Sequence, residues 1–413
     1  MLFKMILPAI IILSLSAIHF SCDILTSSES TVNGKVYNYQ HQPISNIKVT
    51  AGGQSVFTSE DGSFTINSLT FPYDIVVTDS NRRIATVFKG ISTGNITLPI
   101  DDQFNSNFDS KIRVKIPLSI IQSGSLGKIL FTDGNYLNYN SDITTYDTGA
   151  VIRIYNSKPV TGKLIVLTFK KDNNGRITSY ENYGESSEIQ ILPGITNRYQ
   201  FDSLDLTLNP SEQTVTGSFE KPEGYDAVTS NFSLSFSPKK TYFSNGAFTG
   251  IGSFIFNFLI PGGIPSGFNT LVNNYSNGGE LGSSSGDFIV YPNTANRPEV
   301  KLAPAVISPE DHSSTVNNST EFTYSAGTGD GIYIVSFHNF FREVRYKIVT
   351  SKTSVTMEGL EDLGFGYINN NDFYWSVSKT GPANSMNDYA SGFFEHPTHF
   401  SSTSAIFNFT TAP

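Results

Sequence analysis

Cysteine is almost missing from this chain: of 413 residues only Cys22 carries a thiol, so no disulfide can form within it. Charge is scarce too. Asp, Glu, Lys and Arg make up 15% of the residues, against ~25% in an average soluble protein. The basic residues are scattered, with Lys170-Lys171 and Lys239-Lys240 as mere pairs. No basic run is present to neutralise phosphates, which argues against a nucleic-acid partner. The helix formers Ala, Glu, Lys, Arg and Gln never cluster at helical spacing, which argues against a bundle of helices. Signatures of catalysis are missing as well. There is no G-x-S-x-G elbow, no phosphate loop and no cysteine placed as a nucleophile. Aspartates and glutamates sit mostly in turns, where local hydrogen bonding favours them.

What is plentiful points to strands. Aromatics reach 13%, nearly all Phe and Tyr, and Gly, Ser, Thr and Asn are abundant. Such residues suit pleated, half-buried surfaces and the turns between them. The length allows about three domains at ~100–150 residues each. The expected fold class is therefore all-β, built of serial β-sandwich (immunoglobulin-like) domains. The net charge of −9 is an ordinary acidic excess for a solvated exterior.

The first residues have a different character. One basic residue, Lys4, precedes an apolar run from Met5 to Phe20 that Pro8, Ser14, Ser16 and His19 interrupt. The run is shorter than the ~20 apolar residues a spanning helix needs, and its layout is that of a secretory signal. It stops at Ser21-Cys22-Asp23. A small residue before a cysteine at such a junction resembles the lipobox of bacterial lipoproteins, although His19 stands where a Leu is usual. The resemblance implies a signal peptide over 1–21, lipid attachment to Cys22, and a polar tether over 22–30. The expected location is the bacterial cell envelope, at the outer membrane.

Residues 31–100 read as short strands separated by turns at Gln42-Pro43 and Gly52-Gly53. The Glu60-Asp61-Gly62 turn between Ser55–Thr58 and Ser63–Ile66 predicts a hairpin, because Asp-Gly tolerates positive φ. Three stretches carry a family pattern: Gly34-Lys35-Val36; Gln42-Pro43-Ile44-Ser45-Asn46-Ile47-Lys48-Val49; and Thr58-Ser59-Glu60-Asp61-Gly62-Ser63-Phe64-Thr65-Ile66. On these residues the segment resembles the carboxypeptidase regulatory-like family. That resemblance implies a small transthyretin-like β-sandwich without catalytic function.

Residues 101–300 predict one sandwich or two smaller ones. Ile112–Ile116, Ala150–Tyr155, Lys163–Phe169, Leu204–Leu208 and Asn231–Phe236 have strand patterns. Asp172–Gly175 and Asn245-Gly246 read as turns, and Phe254–Ile260 as a core strand. Asn273–Gly286 reads as a mobile loop, and Pro292–Pro304 as a linker.

In residues 301–413, Thr320–Ala326, Ile332–Phe337 and Phe373-Tyr374-Trp375-Ser376-Val377 follow one another as strands. In that order they resemble a fibronectin type III or related immunoglobulin-like domain, with Tyr324 where the family often has Trp. Trp375, the only tryptophan, is expected to anchor the core.

Two places have residues that could hold a metal. Lys170 to Glu181 can be counted as a twelve-residue calcium loop with Asp172, Asn174 and Glu181 as oxygen donors and Gly175 at the turn. Its first position is Lys170, however, and a hairpin accounts for the same residues more simply. His396, His399 and the adjacent Glu395 could meet only if the chain bends, since residues three apart in an extended segment point to opposite faces. No metal or other cofactor is expected. The predicted function is that of a non-enzymatic, lipid-anchored envelope protein for adhesion, scaffolding or ligand binding. Its partners would be the membrane, through the lipid, and a surface protein or glycan. The alternative is a carbohydrate-binding or carbohydrate-active protein with its active region in 101–300.

Overall fold

The computed structural model describes residues 30–413 apart from 39–42, 101–108, 118–124, 134–137, 144–148, 156–158, 203–205, 209–211, 222, 224, 226, 236–241, 253, 263–268, 278–281, 292–300, 340–343, 358–369 and 393–398. The described chain is all-β, with one short helix. Among the described residues no helix is long and apolar enough to cross a membrane.

The first segment forms β1 (Ser30–Asn38), β2 (Lys48–Ala51), β3 (Gln54–Phe57), β4 (Ser63–Leu69), β5 (Tyr73–Asp79), β6 (Ile84–Ile91) and β7 (Asn95–Ile100). Two layers result, β4-β1-β7 and β3-β2-β5-β6. Alternation builds the core between them. Val32 and Val36 of β1 point inward to Val49, Ile75 and Phe88, while Asn33 and Lys35 face water.

The turn at Asp61-Gly62 forms, but it does not close a hairpin. Its flanking strands diverge: β3 pairs with β2, and β4 with β1. Buried Thr58 pins the corner. Its hydroxyl donates to the Ile44 carbonyl and accepts the Ile47 N–H, so the chain passes from one layer to the other.

The middle segment comprises β8 (Asp109–Lys115), β9 (Leu126–Thr132), β10 (Asn138–Ile143), β11 (Gly149–Tyr155), β12 (Val160–Lys171), β13 (Ile177–Glu185), β14 (Ile189–Ile191), β15 (Thr196–Gln200), β16 (Leu206–Leu208), β17 (Glu212–Phe219), β18 (Ala227–Ser235), β19 (Tyr242–Gly250), β20 (Phe254–Pro261), β21 (Asn269–Asn277) and β22 (Ser283–Tyr291). Here three layers stack: β11-β8-β15, then β10-β9-β12-β13-β16, then β17-β20. The central layer is apolar on both faces. Leu164 and Val166 of β12 enter one core with Ile112, Ile152 and Phe131. Ile165, Leu167 and Phe169 of the same strand enter the other with Tyr180, Phe256 and Phe258. A strand buried on both sides reads as an unbroken apolar run, which explains Leu164–Leu167. Strand β20 is half of what its sequence suggests. Phe256, Phe258 and Ile260 are buried, whereas Ile255 is 76% exposed on the outer face.

Two stretches expected as loops belong to strands. Asn245-Gly246 lies inside β19, where the pairing skips from Phe232 opposite Gly246 to Ser233 opposite Ser244. The dipeptide marks a bulge, the usual meaning of a glycine within a strand. Most of Asn273–Gly286 is also ladder: Asn273 faces Asp287, and Tyr275 faces Ser285 across β21 and β22. Backbone pairing overrides the weak strand preference of Asn, Ser and Gly, because sheet propensity depends on context.

The last segment contributes β23 (Val306–Ser308), β24 (Ser313–Val316), β25 (Glu321–Tyr324), β26 (Ile332–Asn339), β27 (Val344–Thr350), β28 (Ser354–Thr356), β29 (Asp372–Gly381), α1 (Met386–Ala390), β30 (His399–Thr403) and β31 (Phe407–Thr411). Trp375 is buried at its centre, edge-on to Phe322 at 4.9 Å and parallel to Phe337 at 6.4 Å. Helix α1 is capped by Ser385, whose hydroxyl accepts the Asp388 N–H.

The two ends of the sequence meet. Strand β6 pairs in parallel with β27, Ile84 opposite Arg345 and Val87 opposite Ile348. One sheet thereby runs β3-β2-β5-β6-β27-β26-β29-β30-β22-β21-β18-β19. Side chains follow the backbone across the seam. Ala85 and Val87 of β6 pack into the C-terminal core, while Phe88 and Ile91 of the same strand pack into the N-terminal one. Met386 and Tyr389 of α1 close the N-terminal core from the other end of the chain.

Candidate functional site

The middle segment carries a concentration of positive charge that the linear sequence hides. In β8 the even-numbered residues Ser110, Ile112 and Val114 are buried, so Lys111, Arg113 and Lys115 share the outer face. Strands β11 and β15 flank β8 on either side. Their registers set Arg153 opposite Lys111, Val151 opposite Arg113, and Arg198 opposite Arg113. Five basic side chains thus fall on one small patch of three strands. Arg113, Lys115 and Arg198 line a groove of ≈ 450 Å³ with Tyr199 and Gln200. These three cations form no ion pair among the described residues, whereas Lys128 pairs with Asp142 and Lys89 with Asp74, both at 2.9 Å. Like charges directly opposite each other in a sheet repel. Arg113 facing Arg198 is therefore unfavourable for the fold taken alone.

The sequence marks a strand over Ile112–Ile116 but not the patch. The alternation Lys-Ile-Arg-Val-Lys was the available signal. Nothing in the sequence places Arg198 next to Arg113, because register is a tertiary property.

The candidate calcium loop is a hairpin. Strands β12 and β13 pair up to Lys171 opposite Ile177. The turn between them is closed by the Gly175 N–H donating to the Asp172 carbonyl, with Gly175 at φ 79. The Asp172 carboxylate accepts the N–H groups of Asn174 and Arg176. Glu181 turns away from the loop tip. The pairing skips it between Phe169 opposite Tyr180 and Thr168 opposite Asn182, which makes it the bulged residue. It is buried, bridges to Lys170 at 3.0 Å and accepts a hydrogen bond from Ser125. The carboxylates of this stretch thus serve the fold. Beside the hairpin, Asp172, Arg176, Thr178, Thr214 and Asn257 line a shallow groove of ≈ 350 Å³.

Of the other sequence candidates, Cys22, His19, His41, Glu395 and His396 lie outside the described residues, as does the side chain of His399. His312 is exposed near Asp311, at 3.5 Å. His338 lies opposite Arg345 and Tyr374. Desolvation, and then the Arg345 charge, hold its imidazole below the ordinary histidine range. Among the described residues no group of three His, Cys, Asp or Glu is placed to hold a metal ion.

No protein-family model matches the chain, and no curated protein matches it. Solved structures with some likeness include a candidate adhesin from Bacteroides ovatus, 10% identical, with a TM-score of 0.18 over 51% of this chain and 93% of that one. A leucine-rich repeat protein from Bacteroides thetaiotaomicron is 11% identical, with a TM-score of 0.15 over 42% of this chain and 26% of that one. The major pilin subunit of Bacillus cereus is 8% identical, with a TM-score of 0.13 over 60% of this chain and 88% of that one.

Proposed function

We propose that this chain is a non-enzymatic binding protein of the bacterial cell envelope, tethered to the outer membrane by lipid on Cys22. The observation that carries the binding role is the cationic face of β11-β8-β15, on which Arg113, Lys115 and Arg198 line one groove and form no ion pair among the described residues. It costs the fold something and is held on a three-layer stack of sheets, a rigid base for a contact surface. The anchor rests on the sequence: an apolar run after Lys4 that ends in a small residue and the chain's only cysteine. In this reading the first and last segments are a carboxypeptidase regulatory-like and a fibronectin type III-like module without catalytic residues, and nucleic acid is not a partner.

Growth with labelled palmitate tests the anchor. Label should enter the wild-type protein and not Cys22→Ser, and only the wild type should sediment with membranes. Equal labelling of both, or of neither, would overturn the tether. The binding role is tested with the purified protein: substituting Arg113 and Arg198 together should remove its affinity for polyanions, and unchanged affinity would overturn it.

A further inference from the structure

We infer that the cationic face of β11-β8-β15 binds a linear polysaccharide bearing carboxylate groups. This deepens the binding role proposed above and is independent of the lipid anchor.

The arrangement of donors selects this class of ligand. Arg113 and Arg198 stand opposite each other in a parallel ladder, with their backbones about 4.8 Å apart. Lys115 is two residues further along β8, about 6.6 Å away, opposite Gln200. Guanidinium forks bind carboxylates in a bidentate manner, and a lysine adds a point charge. A row of acidic groups along a chain matches a row of cations along a strand. Gln200 lines the same groove and supplies polar atoms for hydroxyl groups. Val151, 46% exposed and opposite Arg113, offers an apolar contact for the C–H face of a sugar ring.

Other anionic partners fit less well. A bilayer is flat, whereas Arg113, Lys115 and Arg198 line a concave groove. An acidic peptide adding to this sheet would pair along the outer edge of β11 or β15, away from β8, which carries Arg113 and Lys115 and is paired on both sides. Single-stranded nucleic acid needs exposed aromatic platforms for its bases, yet Tyr199 is half-buried and its ring is edge-on to Phe201 at 5.0 Å.

The test measures binding of the purified protein to immobilised polygalacturonate, to its methyl ester, to polyphosphate, and to vesicles of anionic phospholipid. Binding to polygalacturonate should be saturable, weaken with added salt, and vanish on the ester. The double variant Arg113→Gln/Arg198→Gln should bind about tenfold more weakly or worse, since each guanidinium contributes charge-assisted hydrogen bonds. Arg113→Lys should fall between, keeping the charge but losing the fork. Lys352→Gln, an exposed lysine in the last segment, should bind as wild type. An unchanged melting temperature certifies that each variant is folded. Equal binding to the ester, preference for polyphosphate or vesicles, or full binding by the folded double variant would each overturn the assignment. A protein that binds polygalacturonate yet takes no palmitate would lose the tether and keep this site.

Discussion

Strands β6 and β12 are each buried on both sides, but they serve different constructions. Strand β12 is the middle of a stack: sheets lie above and below it, and its neighbours β9 and β13 come from nearby in the chain. Strand β6 is a seam: it closes one sandwich and continues into another whose strands come from the far end of the sequence. In the stack, cohesion comes from interleaved apolar side chains. At the seam it comes from a parallel ladder, with adjacent residues committed to opposite cores. The lesson is that double burial has two sources, face-to-face layering and edge-to-edge joining.

Substitutions at the seam should have the largest effect. Phe88→Ala empties a fully buried site in the N-terminal core and should cost about 3–5 kcal/mol in chemical unfolding. Its neighbour Val87→Ala acts on the C-terminal core and should cost about 2 kcal/mol. If the seam makes one cooperative unit, both changes move the same transition. Two separable transitions, each answering to one variant, would break the comparison.

In the stack, Leu164→Ala and Leu167→Ala strike opposite faces of β12, each costing about 2–5 kcal/mol. Hydrogen exchange should then speed up in β8 and β11 for the first variant, and in β17 and β20 for the second. Identical exchange patterns would mean that the three layers behave as one core.

A smaller effect is expected at the β12–β13 turn. Gly175→Ala introduces no clash, because nothing lies within 4 Å of an added Cβ, and leaves only the strain of φ 79. A loss of about 1–2 kcal/mol is expected, read from thermal melting. Gly62→Ala should be worse at a similar φ, since its Cβ would meet the Val36 carbonyl oxygen at 2.6 Å.

The smallest effect is a pH dependence at Asp61. Hydrogen bonds from the Ser59 and Ser63 hydroxyls, then the Ser63 N–H, hold this carboxyl well below the usual carboxylate range. A depressed folded pKa gives stability that is present above the unfolded value of about 3.9 and is lost as pH falls toward the folded one. The melting temperatures of wild type and Asp61→Asn should therefore differ slightly at pH 6 and converge in strong acid. A gap that widens on acidification would refute the assignment.

Much of this architecture was legible in the chain. The alternation in Ile332–Phe337 and Phe373–Val377, and the unbroken run Leu164–Leu167, follow from which faces are buried. Trp375 as a core anchor followed from its place in an alternating strand. What could not be read was pairing between distant segments. Ile84–Phe88 has the pattern of any inner strand, and nothing local marks Arg345–Val349 as its neighbour. The same blindness hid the cationic face, because Arg113 and Arg198 meet only through a parallel register. Asn245-Gly246 and Asp61-Gly62 misled for a related reason. Both dipeptides permit a hairpin, but a bulge and a change of layer used the same backbone freedom.

The parallel seam also fixes an order of events. In a chain made from its first residue onward, β6 exists long before β27. Until Arg345–Val349 arrives, the first sandwich ends in an unpaired strand with open N–H and C=O groups and with Ala85 and Val87 uncovered. Such an edge invites pairing with other chains, and contacts so distant in sequence form slowly. The open side of β6 is therefore where an unfinished chain is most exposed to pairing with its neighbours.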